Sequence, residues 1–389
     1  MPLLILFLFL TDLFTIVFIG LDIYLWREWY EYRDTIYDEY AQRCLYGAIA
    51  MLAVLFVGKS FLPRMLGKSR TGEAAPHSFE SSQFDSLKRP DGTTLHIQYF
   101  GNEAAQPIIF VHGWGVNARE WFYQKNYFEK NYRVILYDLA GLGKSTRPDN
   151  KDFSLSKMAQ DLNAVIEHTG AKNPILWGHS IGGMIILTLL AKHASLLAQP
   201  IKGIILEHTT YLNPVKTTLF DKFMRAIEKP ILVPLCYLMI ALSPIMWLSR
   251  WMSYWNGNTH LSSRFSSFAG TQTYQQLDFI SYLGTLASPA VTARGMLAML
   301  KYDVTKELPT IQVPALVIAA NKDRVTKPVA SEVINQSLPN AQLVVVQPGG
   351  HQGLLERHEE VNEAAGQFIQ SLTDVPAHAT AFGRDVAMN

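Results

Sequence analysis

Two cysteines, Cys44 and Cys236, are all that this chain of 389 residues contains, and both lie inside apolar runs. Neither stands at a metal-ligand spacing, and a pair of thiols does not support a disulfide framework, so the redox compartment stays open. A charge of one sign is lacking as well. The 34 basic residues meet 33 acidic ones, which argues against a broad electrostatic surface for nucleic acid. Internal repeats and low-complexity tracts are absent. What the chain has in quantity is apolar side chains, 49% of the total, at the upper edge for soluble domains. Part of that content is therefore expected to face lipid.

The apolar excess is concentrated at the start. Met1 to Trp26 is aliphatic and aromatic, interrupted only by Thr11, Asp12, Thr15 and Asp22, and a helix needs about 20 such residues to cross a bilayer core. A secretory signal would carry positive charge ahead of the apolar stretch and small residues at its end. Here the first charge is Asp12 and the end reads Tyr24-Leu25-Trp26-Arg27, so a retained anchor is expected over about 2–26. A second candidate span covers about 44–62, with Lys59 near enough to its end to snorkel to the interface. The connection holds Arg27, Arg33 and Arg43 among five acids, whereas Lys59, Arg64, Lys68 and Arg70 face only Glu73 after the second run. That bias predicts an integral membrane hairpin with the following domain on the cytoplasmic side.

Five regions are expected. Residues 1–66 form the membrane anchor, and the small, polar stretch 67–83 a linker. Residues 84–208 and 304–372 form an α/β core, 209–303 a helical cap inserted into it, and 373–389 a C-terminal tail. A chain starting near Ser78 is then expected to be more soluble and still active. In the core, short Ile/Val/Leu runs alternate with longer helical stretches, the pattern of a mostly parallel sheet. The runs are Thr94–Phe100, Ile108–Val111, Arg133–Tyr137, Ile175–Trp177, Gly203–Leu206, Ala315–Ala319 and Leu343–Val346. Ile231–Trp251 would pass as a third span by length, but Pro234 and Pro244 interrupt it between two pieces of one sheet. Its greasiness is assigned to a substrate pocket or to a membrane-facing surface.

The chemistry centres on Gly178-His179-Ser180-Ile181-Gly182, preceded by the buried-strand run Ile175–Trp177 and followed by a helical stretch. A serine held on a sharp strand-to-helix turn needs small residues two places before and after it, and the helix N-terminus favours negative charge at its oxygen. Ser180 is the expected nucleophile. A hydroxyl needs a base, and among 11 histidines His351 is chosen, because its loop (Pro348-Gly349-Gly350-His351) follows the last strand-like run. His112, His179 and His208 are read as packing or loop residues or as weaker rivals. The acid that orients the imidazole is expected to follow a strand and precede the histidine, which selects Asp323, with Glu207 as fallback. Two backbone N–H groups should receive the oxyanion: that of Ile181, and that of Trp114 in His112-Gly113-Trp114-Gly115.

Taken in order, HGWG at 112–115, YDLAGLGKS at 137–145, GHSIGG at 178–183, NKDRV at 321–325 and GGHQG at 349–353 resemble the α/β-hydrolase superfamily over about residues 85–372. The resemblance implies a mostly parallel sheet with helices on both faces, a helical lid at 209–303, a Ser180–His351–Asp323 triad, structural roles for Asp138 and Ser145, and neither metal nor cofactor. Serine in the elbow weighs against the aspartate-dependent epoxide hydrolases and haloalkane dehalogenases of this fold. The expected reaction is hydrolysis of carboxylic esters, with lipophilic or lipid acyl esters favoured by the anchor and the apolar lid. An acyltransferase, a peptidase or a carbon–carbon bond hydrolase would keep the same triad. A non-catalytic binding module would need none of it.

Overall fold

The computed structural model describes residues 2–70 and 72–374; most of the expected tail at 373–389 lies outside the described residues. At its centre is one sheet of eight strands: β1 (Phe84–Lys88), β2 (Thr94–Phe100), β3 (Pro107–Val111), β4 (Arg133–Tyr137), β5 (Ile175–His179), β6 (Gly203–Glu207), β7 (Ala315–Ala320) and β8 (Ala341–Val346). Their order is β1-β2-β4-β3-β5-β6-β7-β8. The pairings β1–β2 and β2–β4 are antiparallel and the remainder parallel. β3, β5, β6 and β7 are buried along their whole length, because helices cover both faces of a parallel sheet, and this is why they read as unbroken apolar runs. β1 is the strand that the sequence pattern missed. It is a mostly exposed edge strand, so its residues Phe-Asp-Ser-Leu-Lys carry no apolar run.

Fourteen helices accompany the sheet among the described residues. In chain order they are α1 (Pro2–Tyr32), α2 (Asp38–Leu66), α3 (Phe122–Phe128), α4 (Leu155–His168), α5 (Ile181–Lys192), α6 (Asp221–Ile227), α7 (Val233–Ala241), α8 (Ser243–Trp255), α9 (Asn258–Ser267), α10 (Tyr274–Leu286), α11 (Pro289–Met299), α12 (Pro328–Ser337), α13 (Gly353–Glu356) and α14 (His358–Asp374). α4 starts where Ser154 accepts the amide of Lys157, and its Met158, Leu162, Val165 and Ile166 are buried. α5 is apolar on all sides, with residues 181–190 buried.

Helices α6–α11 form the cap between β6 and β7. The apolar run that resembles a third span is bent by 97° between Asp221–Ala241 and Ser243–Trp255. Pro234 opens α7 and Pro244 opens α8, the positions in a helix where a missing N–H costs least. The cap separates its two kinds of side chain. Tyr237, Leu238, Ile245, Trp247, Leu248 and Trp255 are exposed, whereas Ser249, Arg250 and Ser253 are buried.

α1 and α2 are both long and apolar enough to cross a membrane, about 45 Å each at 1.5 Å per residue. They also pack on the cap. Ser249 Oγ donates to the carbonyl of Asp12 at 2.7 Å, Thr15 Oγ1 and Ser253 Oγ lie 2.8 Å apart, and Asn256 Nδ2 donates to Thr15 Oγ1 at 3.1 Å. Asp12 and Thr15, which interrupt the apolar sequence, are fully buried there. α2 approaches so closely at Gly58 that an added Cβ would lie 2.0 Å from the carbonyl oxygen of Asn256. Lys59 Nζ stands over the rings of Tyr254 and Trp255, 4.3 and 4.8 Å from their centroids.

The stretch after α2 is tied down as well. Lys68 N donates to Gln272 O, Gln272 Nε2 to Leu66 O, and Arg70 Nη2 to Thr271 O, all at 2.7–2.9 Å. These contacts change the expectation for a chain starting at Ser78. Removing the hairpin strips partners from Ser249, Ser253 and Asn256 and bares the apolar surface beside them. At about 1 kcal/mol per buried hydrogen bond, the melting temperature should fall by on the order of 10 °C relative to the full chain in the same detergent. Equal melting temperatures by scanning fluorimetry would mean that the hairpin is only a tether.

Candidate active site

β5 ends at His179 and α5 begins at Ile181, so Ser180 occupies the whole turn. It does so at φ 53°, ψ −115°, a backbone conformation that costs an L-residue of order 1–3 kcal/mol and persists only where the surroundings enforce it. The flanking glycines leave the room that this turn needs. A Cβ on Gly178 would sit 2.4 Å from the backbone of Gly182, and one on Gly182 would sit 2.0 Å from the carbonyl oxygen of Val111.

The structure brings Ser180, His351 and Asp323 together from the C-terminal ends of β5, β8 and β7. Ser180 Oγ lies 3.1 Å from His351 Nε2, and His351 Nδ1 lies 2.9 Å from Asp323 Oδ2. Each of the three residues is at most 4% exposed. A proton on Nδ1 donated to Asp323 leaves Nε2 to accept from the serine hydroxyl. Asp323 Oδ1 accepts the amides of Val325 and Thr326 at 2.7 and 2.9 Å, and Thr326 Oγ1 lies 2.8 Å from Oδ2. Burial alone would raise the Asp323 pKa, but His351 and these hydrogen bonds outweigh it and hold the carboxyl below its ordinary range. Burial lowers the pKa of His351 against the opposing pull of Asp323, so the ring is neutral at pH 7.

The other expected residues fall as follows. Glu207, the fallback acid, makes no hydrogen bond to His351; it accepts Trp177 Nε1 at 2.9 Å, and burial pushes its pKa up to about 7. His208 is fully buried, and burial pushes its pKa down to about 3. His112 accepts the amide of Leu139 at Nε2, 2.9 Å away. Asp138 accepts the amides of Ala118 and Lys144, and Ser145 Oγ donates to Asp138 O. The amide of Ile181 is the first in α5 and so has no acceptor within its helix. In the HGWG loop the amide of Gly113 donates to Glu120, which leaves that of Trp114 as the next along. The Trp114 indole donates to Thr292 O at 3.0 Å and braces the cap.

Glu120 is the residue that sequence reasoning missed. It is fully buried, and both of its oxygens lie 3.3 Å from His179 Nδ1. On the far side, His179 Nε2 donates to the carbonyl of His351 at 2.9 Å. Burial lowers the His179 pKa, but the Glu120 charge outweighs it and pushes the value up to about 9. Glu120 and His179 thus tie the HGWG loop to the His351 loop. The only sequence signal was an acid directly followed by Trp121-Phe122-Tyr123, where a surface residue is out of place.

A narrow cavity of about 70 Å³ lies beneath the cap, bordered by Trp114, His179 and His351 on the core side. Among the described residues, no group of three or more His, Cys, Asp or Glu is placed to hold a metal ion.

This sheet, elbow and inserted cap define a hydrolase of the α/β type, and comparison with known families agrees: residues 106–358 match the family described as alpha/beta hydrolase fold. The chain belongs to that family. It is 26% identical over 288 residues to the AB hydrolase superfamily protein YisY of Bacillus subtilis (strain 168), a match covering 73% of this chain and 98% of that one. It is 22% identical over 329 residues to Lipase 3 of Moraxella sp. (strain TA144), covering 80% and 92%. Among solved structures, a membrane phospholipase A shares the fold with a TM-score of 0.57 at 20% identity, covering 86% of this chain and all of that one.

Proposed function

We propose that the protein is a membrane-anchored serine hydrolase that cleaves carboxylic esters of lipophilic substrates. The observation that carries the proposal is the hydrogen-bonded line Ser180–His351–Asp323, with spacings of 3.1 and 2.9 Å, at a strained elbow. His351 Nε2 takes the Ser180 proton as Oγ attacks the ester carbonyl. The oxyanion forms against the amides of Trp114 and Ile181, each such donor being worth about 10²–10³ in rate. His351 then gives the proton to the departing alkoxide, which leaves as the alcohol. Water, deprotonated by the same nitrogen, attacks the acyl-enzyme, and the acid leaves as His351 returns that proton to Ser180 Oγ. Asp323 stabilises the imidazolium at both steps.

The apolar outer face of the cap, with Trp247, Trp255 and Tyr237 exposed on it, and the α1–α2 hairpin support attachment to a bilayer. The charges flanking α2 favour the cytoplasmic side for the core. The relative named as a lipase favours ester substrates. We expect the full chain in detergent to hydrolyse p-nitrophenyl acyl esters, and to lose that turnover in proportion as a fluorophosphonate labels it. Full labelling of a protein that turned over no ester before the probe was added would sink the esterase reading. Acyl transfer to an added alcohol in preference to water would favour the acyltransferase.

A further inference from the structure

The cavity that His351 borders is walled quite unlike the outer face of the cap. Arg250 of α8, Thr259 of α9 and Ser281 of α10 line it, opposite Trp114 and His351. Arg250 is 1% exposed, and its Nη1 donates to Ala287 O at 3.0 Å. Among the described residues, Arg250 Nε and Nη2, Thr259 Oγ1 and Ser281 Oγ have no hydrogen-bond partner. The carboxylate of Asp12, on α1, is 3.9 Å from Nε. That distance gives Arg250 a counter-charge but leaves its hydrogens untaken. A buried guanidinium with idle N–H groups is costly, and an acceptor that arrives with a ligand removes the cost. A planar fork of N–H donors suits a two-oxygen anion.

We infer that Arg250, with the hydroxyls of Thr259 and Ser281, recognises an oxyanion, carboxylate or phosphate, carried by the ester substrate a few bonds from the scissile carbonyl. The inference rests on the role proposed above for Ser180 and narrows its substrate class. Size agrees with it. A cavity of about 70 Å³ has the volume of roughly two waters at about 30 Å³ each, the scale of one small oxyanion group and too little for a fatty chain. The charged end of the substrate enters beneath the cap, and its apolar remainder stays outside the cavity.

Three esters test this with the full chain in detergent micelles: a monoacylglycerol, the same compound phosphorylated on the glycerol, and a monoalkyl succinate with its carboxylate on the acyl side. The wild type should prefer one charged ester over the neutral one by at least about tenfold. Arg250→Gln should cut that preference by about 10- to 150-fold, the worth of hydrogen bonds to a charged group, and Arg250→Lys should restore part of it. Inorganic phosphate should slow fluorophosphonate labelling of the wild type and lose that effect in Arg250→Gln. The phosphate and carboxylate arms tell which anion is meant. A wild type indifferent to charge overturns the inference, as does an Arg250→Gln variant that lowers all three rates equally, since Arg250 would then serve only Asp12. If Arg250→Gln does not fold, the wild-type preference and the phosphate protection decide alone. A wild type that neither labels nor cleaves any of the three fails at Ser180, one step earlier.

Discussion

Ser180→Ala is expected to abolish fluorophosphonate labelling and to lower kcat for a carboxylic ester by on the order of 10⁵-fold or more. The size follows from the geometry. Ser180 Oγ is the hydroxyl that His351 Nε2 meets, at 3.1 Å, so its removal leaves the base nothing to activate. The residual rate would come from the oxyanion donors and substrate binding alone. The variant keeps a Cβ at the same strained turn, so its melting temperature should stay within a few degrees of the wild type. Labelling that persists would show that the nucleophile lies elsewhere. Lost labelling with a collapsed melting curve would show that the serine holds the elbow and would leave its chemistry unsupported.

The second large effect is expected at the acid. Asp323→Asn should lower kcat by about 10⁴-fold, because an amide can turn its NH₂ toward His351 Nδ1 and stabilise the tautomer whose Nε2 no longer accepts. The oxygen that takes the Val325 and Thr326 amides can be kept, so the fold should survive. Glu207→Gln is the matched control. Glu207 holds Trp177, and its loss should change kcat by far less.

The pH profile gives an independent reading of the same pair. His351 must be neutral to act as base, and burial lowers its pKa. Wild-type kcat/KM should therefore be at its plateau at pH 7 and fall only below the usual histidine range. The Asp323 carboxylate pulls the His351 pKa upward, so Asp323→Asn should shift the acid limb to still lower pH as the plateau drops. An acid limb that moves upward would contradict the pairing.

The parts of the site that could be read from sequence were those whose chemistry is local. An elbow of Gly-x-Ser-x-Gly needs its glycines within two residues, and Asp323 and His351 each follow an apolar run. Other features depend on neighbours far away in the chain. Glu120 meets His179, 59 residues further on, and His179 in turn meets the carbonyl of His351. In α8 the average apolar character concealed two faces. Ile245, Leu248 and Trp255 point outward, whereas Ser249, Arg250 and Ser253 point inward, a helical spacing that could have signalled a polar interior. Asp12 and Thr15 looked like blemishes in a span until their partners on the cap were known.

Gly58 couples two parts of the chain that lie far apart in sequence. The backbone of Asn256 occupies the place where a larger side chain would go, so neither surface can change bulk without the other. The α1–α2 hairpin and the cap, though distant in the chain, are therefore matched in shape at this point. Exchange of the hydrophobic leader with that of another hydrolase would bring in a helix whose surface was shaped for a different lid.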